Sequence, residues 1–154
     1  MLSREEKEEI EREIAILPQR RSACIEALRV VQRHRRWVSD EGVRDIAEHL
    51  GMSPEEVDSV ATFYNLIYRK PVGRHVIHVC DSVSCWILGY DALRAALEKN
   101  LKVTMGGTTP DDRFTLLPIC CLGTCDRAPA MMVDRDLHRD VDPAQVDEIL
   151  RRYE

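Results

Sequence analysis

The amino-acid sequence predicts a mixed α/β (α+β) protein in two parts, a small helical bundle over residues 1–71 and an α/β domain over residues 72–154. Three observations lead there. Apolar residues recur every three or four positions through the first part. Compact β-branched runs replace that period beyond Pro71 and Gly73. Hydrophobic residues make up 44% of the 154, enough to bury one domain core or two small ones.

In the first part Ile10, Ile14 and Leu17 form one stripe, which Pro18 interrupts. Cys24, Ala27, Leu28 and Val31 form a second, and Val43, Ile46, Ala47 and Leu50 a third at spacing i, i+3, i+4, i+7, with Ser39 as its cap. Gly51 ends that helix. Ser53, Pro54 and Glu56 then supply an N-cap, a first-turn proline and a capping box for a fourth, whose apolar face is expected at Val57, Val60, Ala61 and Tyr64. The charged stretch at the N-terminus reads as a solvated helix face. In the second part "HVIHVC" reads as a strand, residues 91–100 as a helix, and "LKVT" as a short extended piece. A Gly-Gly-Thr-Thr-Pro loop, strands at "RFTLLPIC" and "AMMVD", and a closing helix over residues 143–153 complete a small layered structure.

Composition excludes several classes of function. The net charge is -5, with 22 Lys and Arg against 27 Asp and Glu, which gives no electrostatic basis for nucleic acid or anionic lipid. The N-terminus lacks the basic start, apolar middle and small-residue cleavage site of a secretory signal, and it is not an Arg-rich transit peptide. No apolar run approaches the roughly 18 residues of a membrane helix, so no direct membrane insertion is expected. With nothing directing export, the six cysteines are not expected to form disulfides.

Cys80 and Cys85 are separated by four residues at the end of the first strand, and Cys121 and Cys125 by three at the end of a later one. If those strands are neighbours, four soft sulfur donors converge, a set that suits zinc or an iron–sulfur cluster. The chain has no C-x2-C zinc knuckle, no thioredoxin-type C-x-x-C dithiol and neither common ferredoxin spacing. Spacing therefore leaves a cluster, a zinc ion and unligated cysteines open. It also leaves open whether Cys120 or Cys121 faces the site, because adjacent strand residues point to opposite sides. Cys24, alone on a helical stripe, reads as a small buried hydrophobe.

The segments "VATFYNLIYRKPVGRHVIHVC", "CDSVSCWILGY" and "RFTLLPICCLGTCDRAPAMMVD" resemble the E-subunit family of bacterial NADH:quinone oxidoreductase, respiratory complex I. The resemblance covers essentially the whole chain. It implies a thioredoxin-like ferredoxin domain, with a central mixed sheet flanked by helices, preceded by the helical bundle. It further implies one [2Fe-2S] cluster on Cys80, Cys85, Cys121 and Cys125, with Cys120 in packing or beside the site. FMN and the NADH site are implied in the adjacent F subunit, and the large iron–sulfur G subunit is implied as a further partner. The assembly would sit peripherally on the cytoplasmic side of the bacterial inner membrane. No catalytic residue is implied in this chain, an electron-transfer subunit whose cluster lies off the main path to quinone. The sequence agrees in having no G-x-G-x-x-G turn after a strand, Gly106-Gly107 lacking that context. Asp81, Asp126 and Arg127 adjoin the ligands and read as solvated or structural residues able to tune a cluster. Trp86 reads first as a packing residue, and otherwise as a shield or a contact to the F subunit.

Three other readings compete. Similar subunits serve NAD-linked hydrogenases and formate dehydrogenases. A zinc-stabilised interaction module would be colourless and redox-silent. "VRDIAEHLGMSPEEVDSVATFY" has the outline of a helix-turn-helix in a redox-sensing regulator, but Glu55, Glu56 and Asp58 stand where that motif approaches phosphates, which argues against DNA.

Overall fold

Side-chain caps start three of the four helices in the first half of the chain. Ser3 accepts from the Glu6 amide while the Glu6 carboxylate takes the Ser3 amide, and this box opens α1, Arg4–Ile14. A short 3-10 turn, Arg20–Ala23, leads into α2, Cys24–Arg35. Ser39 caps α3, Asp40–Leu50, which ends at Gly51 with φ +67. Ser53 and Glu56 form the box that opens α4, Pro54–Phe63, with Pro54 in its first turn.

A computed structural model describes residues 1–153, and the chain divides into two units, Met1–Pro71 and the part from Val72 onward. In the first unit the three apolar stripes close on one core that includes Ile10, Cys24, Ala27, Leu28, Val31, Val43, Ile46, Ala47, Leu50, Val57 and Ala61. Two expectations fail here. Tyr64 lies just past α4 in extended backbone and is 42% exposed, because the helix ends one residue before it. Glu6, on the stretch read as solvated, is buried, and both its oxygens meet the Arg35 guanidinium at 2.7 Å.

The second unit is a four-stranded mixed sheet in the order β2-β1-β3-β4. β1, His75–Cys80, runs parallel to β2, Phe114–Ile119, with Cys80 opposite Ile119. The crossover between them carries α5, Val83–Leu88, and α6, Tyr90–Leu101. β3, Met131–Val133, is antiparallel to β1, and β4, Asp136–His138, pairs with β3 through a tight turn. Ile77 and Val79 of β1 point to one face, where they join Leu116, Met131, Val133, Leu93 and Leu97 in a single core. Val146, Ile149 and Leu150 close that core from α7, Val146–Leu150.

The sequence pattern missed α5 and β4, which are six and three residues long and carry little periodicity. "LKVT" is not a strand. Leu101 ends α6, Lys102 turns left-handed at φ +56, and Val103 packs on the core from a loop. The closing helix is three short pieces, 3-10 turns at Pro143–Gln145 and Arg151–Tyr153 with α7 between them.

Candidate metal centre

Parallel pairing of β1 with β2 brings the two strand ends that lead into the cysteines out at the same end of the sheet. The Cys80 amide donates to the Ala130 carbonyl at 3.1 Å, and the Asp81 amide donates to the Ile119 carbonyl at 3.1 Å. The end of β1 is thus held from both sides. Cys80 and Cys85 are each 2% exposed, in a small apolar cluster with Ile119 and Ala130. Burial first, and the facing Cys80 thiol second, push the Cys85 thiol up to about 11.

The second pair is built differently. Cys121 and Cys125 are exposed on the loop that follows β2, Cys125 opening the 3-10 turn Cys125–Arg127. Their sulfurs stand 3.8 Å apart. Two donors at 2.3 Å from one tetrahedral ion are separated by about 3.8 Å, so this pair is spaced as one edge of a metal tetrahedron. The Gly123 amide donates to the Cys121 sulfur at 3.3 Å, from a turn in which Gly123 holds φ +72. The Cys121 thiol raises the Cys125 pKa most, with burial adding to it and the Ser84 hydroxyl opposing it.

Cys121 is the member of the Cys120–Cys121 dipeptide whose sulfur faces Cys125; Cys120 is exposed beside it. Among the described residues no group of three or more His, Cys, Asp and Glu is gathered tightly enough to hold a single metal ion. The four thiols stand as two pairs, one buried and one exposed, rather than as one cage. Cys24 is buried in the core of the other unit, where burial raises its pKa. Trp86 is not in a buried core. It is 61% exposed on α5, in a row with Val83, Ile87 and Leu88. His78 lies two residues before Cys80 on the same strand face, and burial lowers its pKa to about 4, so it is neutral at pH 7.

Sequence reasoning missed Ala130, which holds the Cys80 amide, and Ser84, whose hydroxyl faces the opposite pair. Neither has a local signal, since each acts across an element boundary. Asp81 and Asp126 are exposed, and Arg127 pairs with Asp140.

Residues 10–154 match the thioredoxin-like [2Fe-2S] ferredoxin family. The chain is 53% identical over 152 residues to the E subunit of the NADH-quinone oxidoreductase of Salmonella typhimurium, covering 99% of this chain and 92% of that one. Its counterpart of the same name from Escherichia coli K12 is 52% identical with the same coverage. A solved NAD+-reducing [NiFe]-hydrogenase chain superimposes with a TM-score of 0.69 at 24% identity, over 82% of this chain and 22% of that chain, a likeness of fold.

Proposed function

This chain belongs to the thioredoxin-like [2Fe-2S] ferredoxin family, and from that premise we propose that it is the electron-transfer subunit of an NADH-quinone oxidoreductase. The observation that carries the reading is the arrangement of four thiols in two pairs beyond the C-terminal ends of the parallel strands β1 and β2, the exposed pair 3.8 Å apart. A two-iron cluster needs two thiolates on each iron, so paired donors match its chemistry more closely than a single four-donor cage does. Cys80 and Cys85 would hold one iron, Cys121 and Cys125 the other. When bound, the cluster supplies one-electron exchange.

The chain's own residues supply the rest. The parallel ends of β1 and β2 bring Cys80 and the loop of Cys121 out at the same end of the sheet, and the apolar cluster around Cys85 keeps water from the inner pair. The Gly123 amide donates to the Cys121 sulfur and so stabilises negative charge there. NADH gives up a hydride, so a flavin must stand between it and a one-electron carrier. In this reading FMN and NADH are held by a flavoprotein F subunit, with the iron–sulfur G subunit in the same module, and this chain does no bond chemistry of its own. The exposed Val83, Trp86, Ile87 and Leu88 on the helix that carries Cys85 are the surface the flavoprotein would cover. Among the described residues no helix is long and apolar enough to cross a membrane, and the assembly is proposed to present this subunit on the cytoplasmic side.

Anaerobic purification followed by iron, sulfide and zinc analysis, with EPR before and after dithionite, tests the reading on the parent chain and on Cys120→Ser and Cys121→Ser. The expected result is two irons and two sulfides per chain, as a [2Fe-2S] family requires, with a rhombic reduced signal lost in Cys121→Ser and kept in Cys120→Ser. Stoichiometric zinc with no signal would overturn it.

A further inference from the structure

The second thiol pair stands on residues 120–127, which lie between strands, so its position depends on what ties the loop down. One residue makes two such ties. The Asp140 amide donates to the Arg127 carbonyl at 2.8 Å, and the Asp140 carboxylate accepts from the Arg127 guanidinium Nε. Asp140 holds φ +47, a left-handed conformation that Asp adopts more readily than most residues, and in it both groups address Arg127. Next to it, the Val141 amide donates to the Pro129 carbonyl at 3.0 Å. Arg127 closes the turn that Cys125 opens, its own amide returning to the Thr124 carbonyl at 3.0 Å. Movement of Arg127 therefore moves Cys125.

We propose that Asp140 is a positioning residue for Cys125, fastening the exposed half of the metal centre to the connection between β4 and α7. The proposal rests on the reading that Cys125 holds the cluster. The ion pair is exposed on both sides, so it adds little to the stability of the fold. Its effect is on where a ligand-bearing turn sits and how often that turn opens.

The test uses the full-length, cluster-loaded chain. Asp140→Gly removes the carboxylate while tolerating the positive φ and keeping the backbone amide. Asp140→Asn keeps an uncharged acceptor. Three readouts are taken: the rate of iron release to a chelator, the reduced EPR line shape, and the melting temperature of the metal-free protein. Asp140→Gly is expected to release iron about two- to fivefold faster, the scale of a surface ion pair, with Asp140→Asn in between. The EPR line shape should change in Asp140→Gly while the metal-free melting temperature stays at the parent value. Arg127→Ala should match Asp140→Gly, and the double variant should be no faster than either. The proposal is overturned by an unchanged release rate, by faster release that merely follows a lowered melting temperature, or by additive single effects. A parent chain that binds no cluster sinks the underlying reading, and this proposal with it.

Discussion

Glu6 in the helical unit and Cys85 in the sheet unit are both sealed from water, at 1% and 2% exposure, yet their surroundings differ in kind. Glu6 meets a guanidinium on both oxygens and also accepts from the Ser3 amide, so its charge is satisfied within its own unit. Cys85 meets another thiol, and its surroundings favour the protonated form. One buried group completes an internal pair, while the other is a donor facing a second donor. Burial in the first unit therefore serves the fold, and burial of Cys85 on α5 beside Cys80 suits the cluster-binding role proposed for that pair.

The sharpest test of that contrast is a core cavity in each unit. Leu28→Ala and Leu97→Ala each empty a fully buried position and should each cost about 2–5 kcal/mol in chemical denaturation. Leu97→Ala should also speed loss of the visible absorption of the loaded protein, and Leu28→Ala should leave that rate unchanged. Equal effects on the absorption would break the division of labour.

A smaller effect is expected at the Glu6 pair. Arg35→Met leaves a buried carboxylate without its cation, at about 2–3 kcal/mol, short of a sealed pair because Arg35 keeps 29% exposure. The same pair sets an acid limit. Burial alone would raise the Glu6 pKa, but the Arg35 guanidinium and the Ser3 amide outweigh it and hold the carboxyl below its ordinary 4.5. A depressed folded-state pKa gives stability that is fully present above 4.5 and lost as pH falls through the folded value. Glu6→Gln should flatten the pH dependence of unfolding in that acid window, measured on the metal-free protein.

The smallest effect is expected at Gly123. A Cβ there meets nothing within 4 Å, so Gly123→Ala costs only the left-handed backbone, about 1 kcal/mol. That cost falls on the loop of Cys121 and Cys125, so iron release should quicken while the unfolding of the helical unit is unmoved. A shift in the helical transition would mean that the two units are energetically coupled.

Much of the first unit was legible in sequence because its signals are local. A cap and its amide lie three residues apart, and a stripe repeats within one turn, so Ser39, Ser53 and the Leu28 and Ile46 stripes could be read before any folding was known. Tyr64 was misassigned because a helical period does not say where the helix stops. The burial of Glu6 was hidden because Arg35 lies 29 residues away.

In the second unit, residue type and order were enough to establish the family and the presence of four suitably spaced thiols. Three-dimensional packing was needed to show that β1 and β2 lie side by side and parallel, that Cys121 rather than Cys120 faces Cys125, that Ala130 and Ser84 lie beside the cysteines, and that Asp140 is tied to Arg127. The physical reason is strand pairing. A shift of one residue in register turns every side chain to the other face, and register is set by contacts between segments that are distant in the chain.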